Sequence, residues 1–119
     1  MKDFRGLVVW QKAHKLTLRI YKVTKLFPKE ERYGLTSQMR RASASIAANI
    51  AEGCGRKTDA DFSRFLVVAL GSGTELEYHL LLEHDLGLLK DSDYEPLQND
   101  LIEIKKMLNS LIRKLTAKG

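Results

Sequence analysis

The sequence predicts an all-α protein, an antiparallel up-down bundle of four helices, on three observations. Apolar residues recur at steps of three and four along nearly the whole chain, the period of a helix that buries one face. Four such stretches are joined by short segments carrying Pro, Gly, Asp and Ser, which makes sequence neighbours fold back on one another. No stretch alternates apolar and polar residues between turn signals, as a strand would. At 119 residues the chain has material for one core, so residues 1–119 are read as one domain.

The first seam is Val9, Ala13, Leu16, Ile20, Val23 and Phe27, ending at Pro28, where the ring removes an amide donor and pushes the preceding residue out of the helical region. Pro28-Lys29-Glu30-Glu31 reads as a short helical turn closed by Gly34. The second helix starts near Leu35 and runs through Met39, Ala42, Ile46 and Ile50 to Gly53-Cys54-Gly55, where glycine is expected to supply a left-handed C-cap. Thr58, with Asp61 three residues on, is an N-cap signature for a third helix reaching about Gly87. Its seam is Phe62, Leu66, Ala69, Gly73, Leu76 and Leu80. Asp91-Ser92-Asp93 is expected to cap the fourth helix, with Pro96 tolerated only within the first turn. Leu97, Leu101, Ile104, Leu108, Leu111 and Leu115 complete its seam.

Two features ask for more than one bundle. Phe65, Val67, Val68 and Leu70 lie off the third seam, so that helix is apolar on almost every side and wants burial on two. Leu18 and Tyr21 lie off the first seam. These six residues are candidate oligomer contacts; the competing reading is scattered exposed apolar residues. The small-residue run 42–48 and Gly71-Ser72-Gly73 suit a close helix–helix approach, with Asn49 nearby as a hydrogen-bonding residue.

Composition excludes several classes. With 44% hydrophobic and 29% charged residues the chain is a folding sequence. The longest purely apolar run, 65–70, falls short of the roughly 18 residues of a membrane span. Met1-Lys2-Asp3 leads into no signal-type apolar core, and the lone Cys54 fits a reducing compartment, so a cytoplasmic location is expected.

Enzymatic chemistry finds little support. Glu75, His79 and Glu83 stack at steps of four but lack the paired Glu-x-x-His elements of a di-metal bundle; no metal and no cofactor are expected. Gly53-Cys54-Gly55-Arg56-Lys57-Thr58 lacks the leading strand, the earlier glycine and the Gly-Lys pair of a phosphate loop. No histidine lies near Cys54 in sequence, and no serine sits in a nucleophile elbow.

The charges carry more pattern. Residues 1–57 hold a net +9 and residues 58–119 a net −4, within a total of +5. Lys12, Lys15, Arg19 and Lys22 form one stripe on the first helix, and Arg40 and Arg41 lie off the second seam. With Arg56 and Lys57 at the start of the third helix they are candidates to neutralise phosphates without reading bases. A solvated helix face, or a surface that meets acidic groups, is the competing reading. Aromatic platforms for stacking bases are not evident.

Val9-Trp10-Gln11-Lys12-Ala13, Phe27-Pro28, Glu31-Arg32-Tyr33-Gly34-Leu35, Gln38-Met39-Arg40-Arg41-Ala42, Ser45-Ile46, Asn49-Ile50-Ala51-Glu52-Gly53, Arg56, Phe65-Leu66, Gly71-Ser72 and Glu75-Leu76-Glu77 together form a specific combination. On these the chain resembles, over nearly its whole length, the small bacterial four-helix-bundle family encoded by intervening sequences within 23S ribosomal RNA genes. Leu88, where the family leads one to expect an aromatic, is a departure that bears on loop packing. The resemblance implies a four-helix subunit that assembles into a ring, a pentamer, with no known catalytic activity. A distant relative by fold is a nucleic-acid-binding accessory to reverse transcriptases, an analogy of architecture alone. The expectation is therefore a non-enzymatic ring-former that binds RNA or DNA through its basic surface. The alternative is an interaction scaffold or accessory subunit for a nucleic-acid enzyme.

Overall fold

Helices α1 (Val8–Thr24), α2 (Ser37–Cys54), α3 (Asp59–Asp85) and α4 (Asp91–Thr116) make up most of the computed structural model, which describes residues 3–117. Each helix packs on its sequence neighbours and α1 closes on α4, which is the up-down arrangement. The described residues span 46 × 21 × 20 Å, one long helix in length and two helices across. The four seams meet along the axis, where Leu16, Ile20, Met39, Ile46, Leu66, Leu76, Leu101 and Ile104 are almost completely buried.

The helix ends depart from the sequence expectation in instructive ways. α1 stops at Thr24, short of Phe27, and two successive turns close it through Leu26 N to Val23 O and Phe27 N to Thr24 O. Phe27 keeps its place in the core from this turn. A 3₁₀ turn (Lys29–Glu31) and a wider turn (Arg32–Thr36), kinked at Gly34, lead into α2. Gly55 is right-handed, with φ −84° and ψ −1°, so no left-handed cap ends α2. The glycine needed there is Gly53, where a Cβ would stand 2.7 Å from the Phe65 Cβ; a side chain would force α2 and α3 apart.

Thr58 caps α3 as its sequence predicts, its Oγ1 accepting from the Asp61 amide at 3.1 Å. The left-handed residue is Gly87, φ 78°, at the other end of α3. There the Leu88 amide donates to Glu83 O and the Gly87 amide to His84 O, a Schellman closure. The N-cap of α4 is Lys90; Asp91 and Asp93 lie in the first turn, where carboxylates favour the positive helix end. Pro96 lies beyond that turn, inside the helix, on the exposed side where water can solvate the carbonyl left without a donor.

Ser45 and Ser72 share a 2.8 Å hydrogen bond across α2 and α3, and Asn49 Nδ2 donates to Ser45 O. Gly73 instead faces α4, against the Lys105 side chain. α3 is long and apolar enough by length and composition to cross a membrane, which its broken apolar runs concealed; here its buried face packs on α2 and α4. Its outer face leaves Val67 and Val68 about half exposed, at 53% and 50%. Leu18 and Tyr21 of α1 are exposed as well. Leu70 packs against the bundle's own core, because its position turns back toward the neighbouring helix. Phe65 is half-buried beneath the guanidinium groups of Arg56 and Arg64, 4.6 and 5.6 Å from its ring centre.

Candidate nucleic-acid interface

The basic stripe of α1 lies along the α1–α4 groove, and α4 answers it. Lys12 Nζ is 3.1 Å from Glu103 Oε1, and Arg19 pairs with Asp100. Lys15 lines the same groove, a cleft of about 230 Å³ that also contains both acids. The basic first half and the acidic second half of the chain therefore compensate each other here within one subunit. Lys22 stands on the same stripe, exposed and without an ion pair among the described residues.

The balance changes at the end of the bundle where α1 turns into α2. An inner concavity of about 330 Å³ is lined by Thr24, Lys25, Phe27, Pro28, Lys29, Arg32, Thr36 and Arg40. An outer one of about 490 Å³ is lined by Tyr21, Arg32, Tyr33, Thr36, Ser37, Arg40 and Arg41. No carboxylate lines either, and none of the five cations is ion-paired among the described residues. Arg40 is braced: its Nε donates to Thr24 Oγ1 at 2.9 Å, and one terminal nitrogen donates to Tyr21 O at 3.2 Å. Its guanidinium also lies 4.6 Å from the centre of the Tyr21 ring. Two of its five N–H donors are used in this way, which fixes the fork and leaves the rest available.

Arg40 and Arg41 are thus brought together with Lys25, Lys29, Arg32 and Tyr33, which sequence reasoning did not name as binding candidates. These four belong to the α1–α2 connection, where no helical stripe exists to draw attention to them. Arg56 and Lys57 lie elsewhere, at the α2–α3 turn. Arg56 is held by Glu52 at 2.9 Å, and Asp59 and Asp61 occupy the first turn of α3. Those carboxylates already occupy the favourable position for an anion at that helix end.

His79 is buried, with Nε2 3.2 Å from Glu75 Oε2. Glu83, one turn on, is completely buried with both carboxylate oxygens unpartnered. Burial, and secondarily the charge of Glu31, push its pKa from 4.5 up to about 7. Among the described residues no three His, Cys, Asp or Glu side chains are grouped to hold a metal ion. His84 bonds to Asp91 and stacks on Tyr94, and the Asp91 contact raises the histidine pKa.

No curated protein matches the chain significantly. Among solved structures it is similar to the crystal structure of a protein of unknown function from the S23 ribosomal protein family of Bacteroides thetaiotaomicron. That match has 34% sequence identity and a TM-score of 0.84, and covers 95% of this chain and 99% of the other. The sequence profile of the 23S rRNA-intervening sequence protein family matches residues 5–110. The four-helix architecture and this match over most of the chain place the protein in the family that its motifs suggest. It belongs to the 23S rRNA-intervening sequence protein family.

Proposed function

We propose that the protein is a non-enzymatic nucleic-acid-binding subunit that works as a ring-like homo-oligomer, a pentamer, and grips phosphates through the α1–α2 end of its bundle. The observation that carries the reading is the pair of adjoining concavities lined by five cations and no acid. Such a surface gains free energy by releasing condensed counterions from a polyanion. The α1 stripe contributes less, since Lys12 and Arg19 already have carboxylate partners. Exposed Val67, Val68 and Leu18 support an assembly that covers them, whereas Tyr21 lines the outer concavity beneath Arg40. A ring would repeat the cationic end around its axis, and several copies on one strand would bind far more tightly than one.

The test is a fluorescence-anisotropy titration of single-stranded RNA against salt. Binding should weaken with a slope of roughly −0.7 per neutralised phosphate. Arg32 and Arg41 are both exposed, so changing them together to Ala should spare the fold. That variant should lower affinity and flatten the slope by roughly 1.4. Changing Lys12 and Arg19 together to Ala should alter the slope far less. Absence of binding at roughly 50 mM salt, where the electrostatic contribution is strong, would overturn the reading in favour of a protein scaffold. An unchanged slope in the Arg32/Arg41 variant would move the interface elsewhere.

A further inference from the structure

The inner concavity is more than a patch of solvated lysines. Arg40 is pre-positioned by two hydrogen bonds to α1. Thr36, only 7% exposed, lines both concavities, and its hydroxyl has no hydrogen-bond partner among the described residues. That hydroxyl opens onto the concavity, where it can donate to an oxygen of a bound group. Phe27 and Pro28 add apolar surface to the concavity wall. A fixed guanidinium, two lysines, a second arginine and an open hydroxyl suit one compact, multiply charged oxyanion group.

Beside it, Tyr33 is 90% exposed and lines the outer concavity with Arg32 and Arg41. A large aromatic ring held in water next to phosphate-binding cations is unfavourable on its own account, yet matches a platform for an unpaired base. In a duplex the base faces are already stacked, and an exposed tyrosine has nothing to receive. Tyr21 cannot serve equally, because the Arg40 guanidinium covers its ring.

We infer that this end of the bundle selects single-stranded nucleic acid: one phosphate group enters the inner concavity among Arg40, Arg32, Lys25, Lys29 and Thr36, and the adjoining unpaired base stacks on Tyr33. The inference rests on the nucleic-acid reading above and specifies its ligand.

The experiment compares a labelled single-stranded oligouridylate with an RNA duplex of equal length, by anisotropy at one salt concentration. Inorganic phosphate is titrated separately by calorimetry. The variants are Tyr33→Ala, Tyr33→Phe and Thr36→Val, each checked by thermal unfolding. The single strand should bind more tightly than the duplex. Tyr33→Ala should lose about tenfold in single-strand affinity and nothing on the duplex, whereas Tyr33→Phe should retain wild-type affinity. Thr36→Val should weaken the single strand with its folding transition retained; if that variant unfolds, Tyr33→Ala, at an exposed position, decides alone. Equal binding of the two RNAs, or full affinity in Tyr33→Ala, would overturn this inference while leaving the phosphate reading standing. No RNA binding by the wild type would end both. Saturable phosphate binding without RNA binding would identify the concavity as a site for a small phosphate ligand, and would also overturn the proposal.

Discussion

Replacing Glu83 by Gln is expected to stabilise the protein above about pH 7 and to abolish most of the loss of stability that it otherwise shows between about pH 5 and 8. The side chain is completely buried, and neither carboxylate oxygen has a partner. Its pKa lies at about 7 in the fold against 4.5 for an ordinary glutamate, first through burial and then through Glu31. Between those values the folded chain binds a proton that the unfolded chain has released, so unfolding becomes easier as pH rises. Below about pH 4.5 both states are protonated and nothing is lost. Above the folded value the full penalty applies, at most about 3 kcal/mol for this span. The amide of Gln has nothing to ionise, so the variant should show a flatter profile in denaturant unfolding at fixed protein concentration. His84, raised by Asp91, also loses its contribution as pH rises through its folded pKa, and that portion should survive in the variant. A wild-type stability that stays level or climbs from pH 5 to 8 would contradict this account of Glu83.

Val68→Glu should convert the proposed assembly to monomers while leaving the helical content intact. Val68 is half exposed on the outer face of α3, so a carboxylate there meets water in an isolated subunit and desolvation in an interface. A weakening of subunit association by roughly 100-fold or more is expected, read by light scattering beside circular dichroism. A wild-type mass of 13.5 kDa at micromolar concentration would contradict assembly outright. Loss of helicity in the variant would place Val68 in the subunit's own core.

The four helices were legible because each carries an apolar seam long enough for the three-four period to be unambiguous. Their ends were less so. Phe27 keeps the step of the α1 seam although the helix has already closed at Thr24, since a turn can deliver a side chain to the core as well as a helix can. Asp91, Ser92 and Asp93 are residue types favoured both at an N-cap and in a first turn, and composition cannot separate the two. Gly53 and Gly55 look alike in sequence, but only the packing of α2 on Phe65 shows that Gly53 is needed for close approach.

The candidate interface was legible in part for a similar reason. Helical spacing exposes the stripe Lys12, Lys15 and Arg19, yet the acids that pair with it, Asp100 and Glu103, belong to the last helix and meet it only through tertiary folding. Arg40 and Arg41 stand out as cations off a seam. Lys25, Lys29, Arg32 and Tyr33 lie in a connection without period, so only the folded turn gathers them around Arg40. The stack of Glu75, His79 and Glu83 is real as spacing, but His79 bonds to Glu75 and Glu83 is shut away in the core.

The central claim, that nucleic acid is held at the α1–α2 end, is tested most directly by photo-crosslinking the intact protein to a single-stranded RNA carrying 4-thiouridine, with adducts located by mass spectrometry. The account predicts adducts within residues 21–41, centred on Tyr33 and its neighbouring arginines. Adducts confined to the α1 stripe from Lys12 to Arg19, or to Arg56 and Lys57, would contradict it.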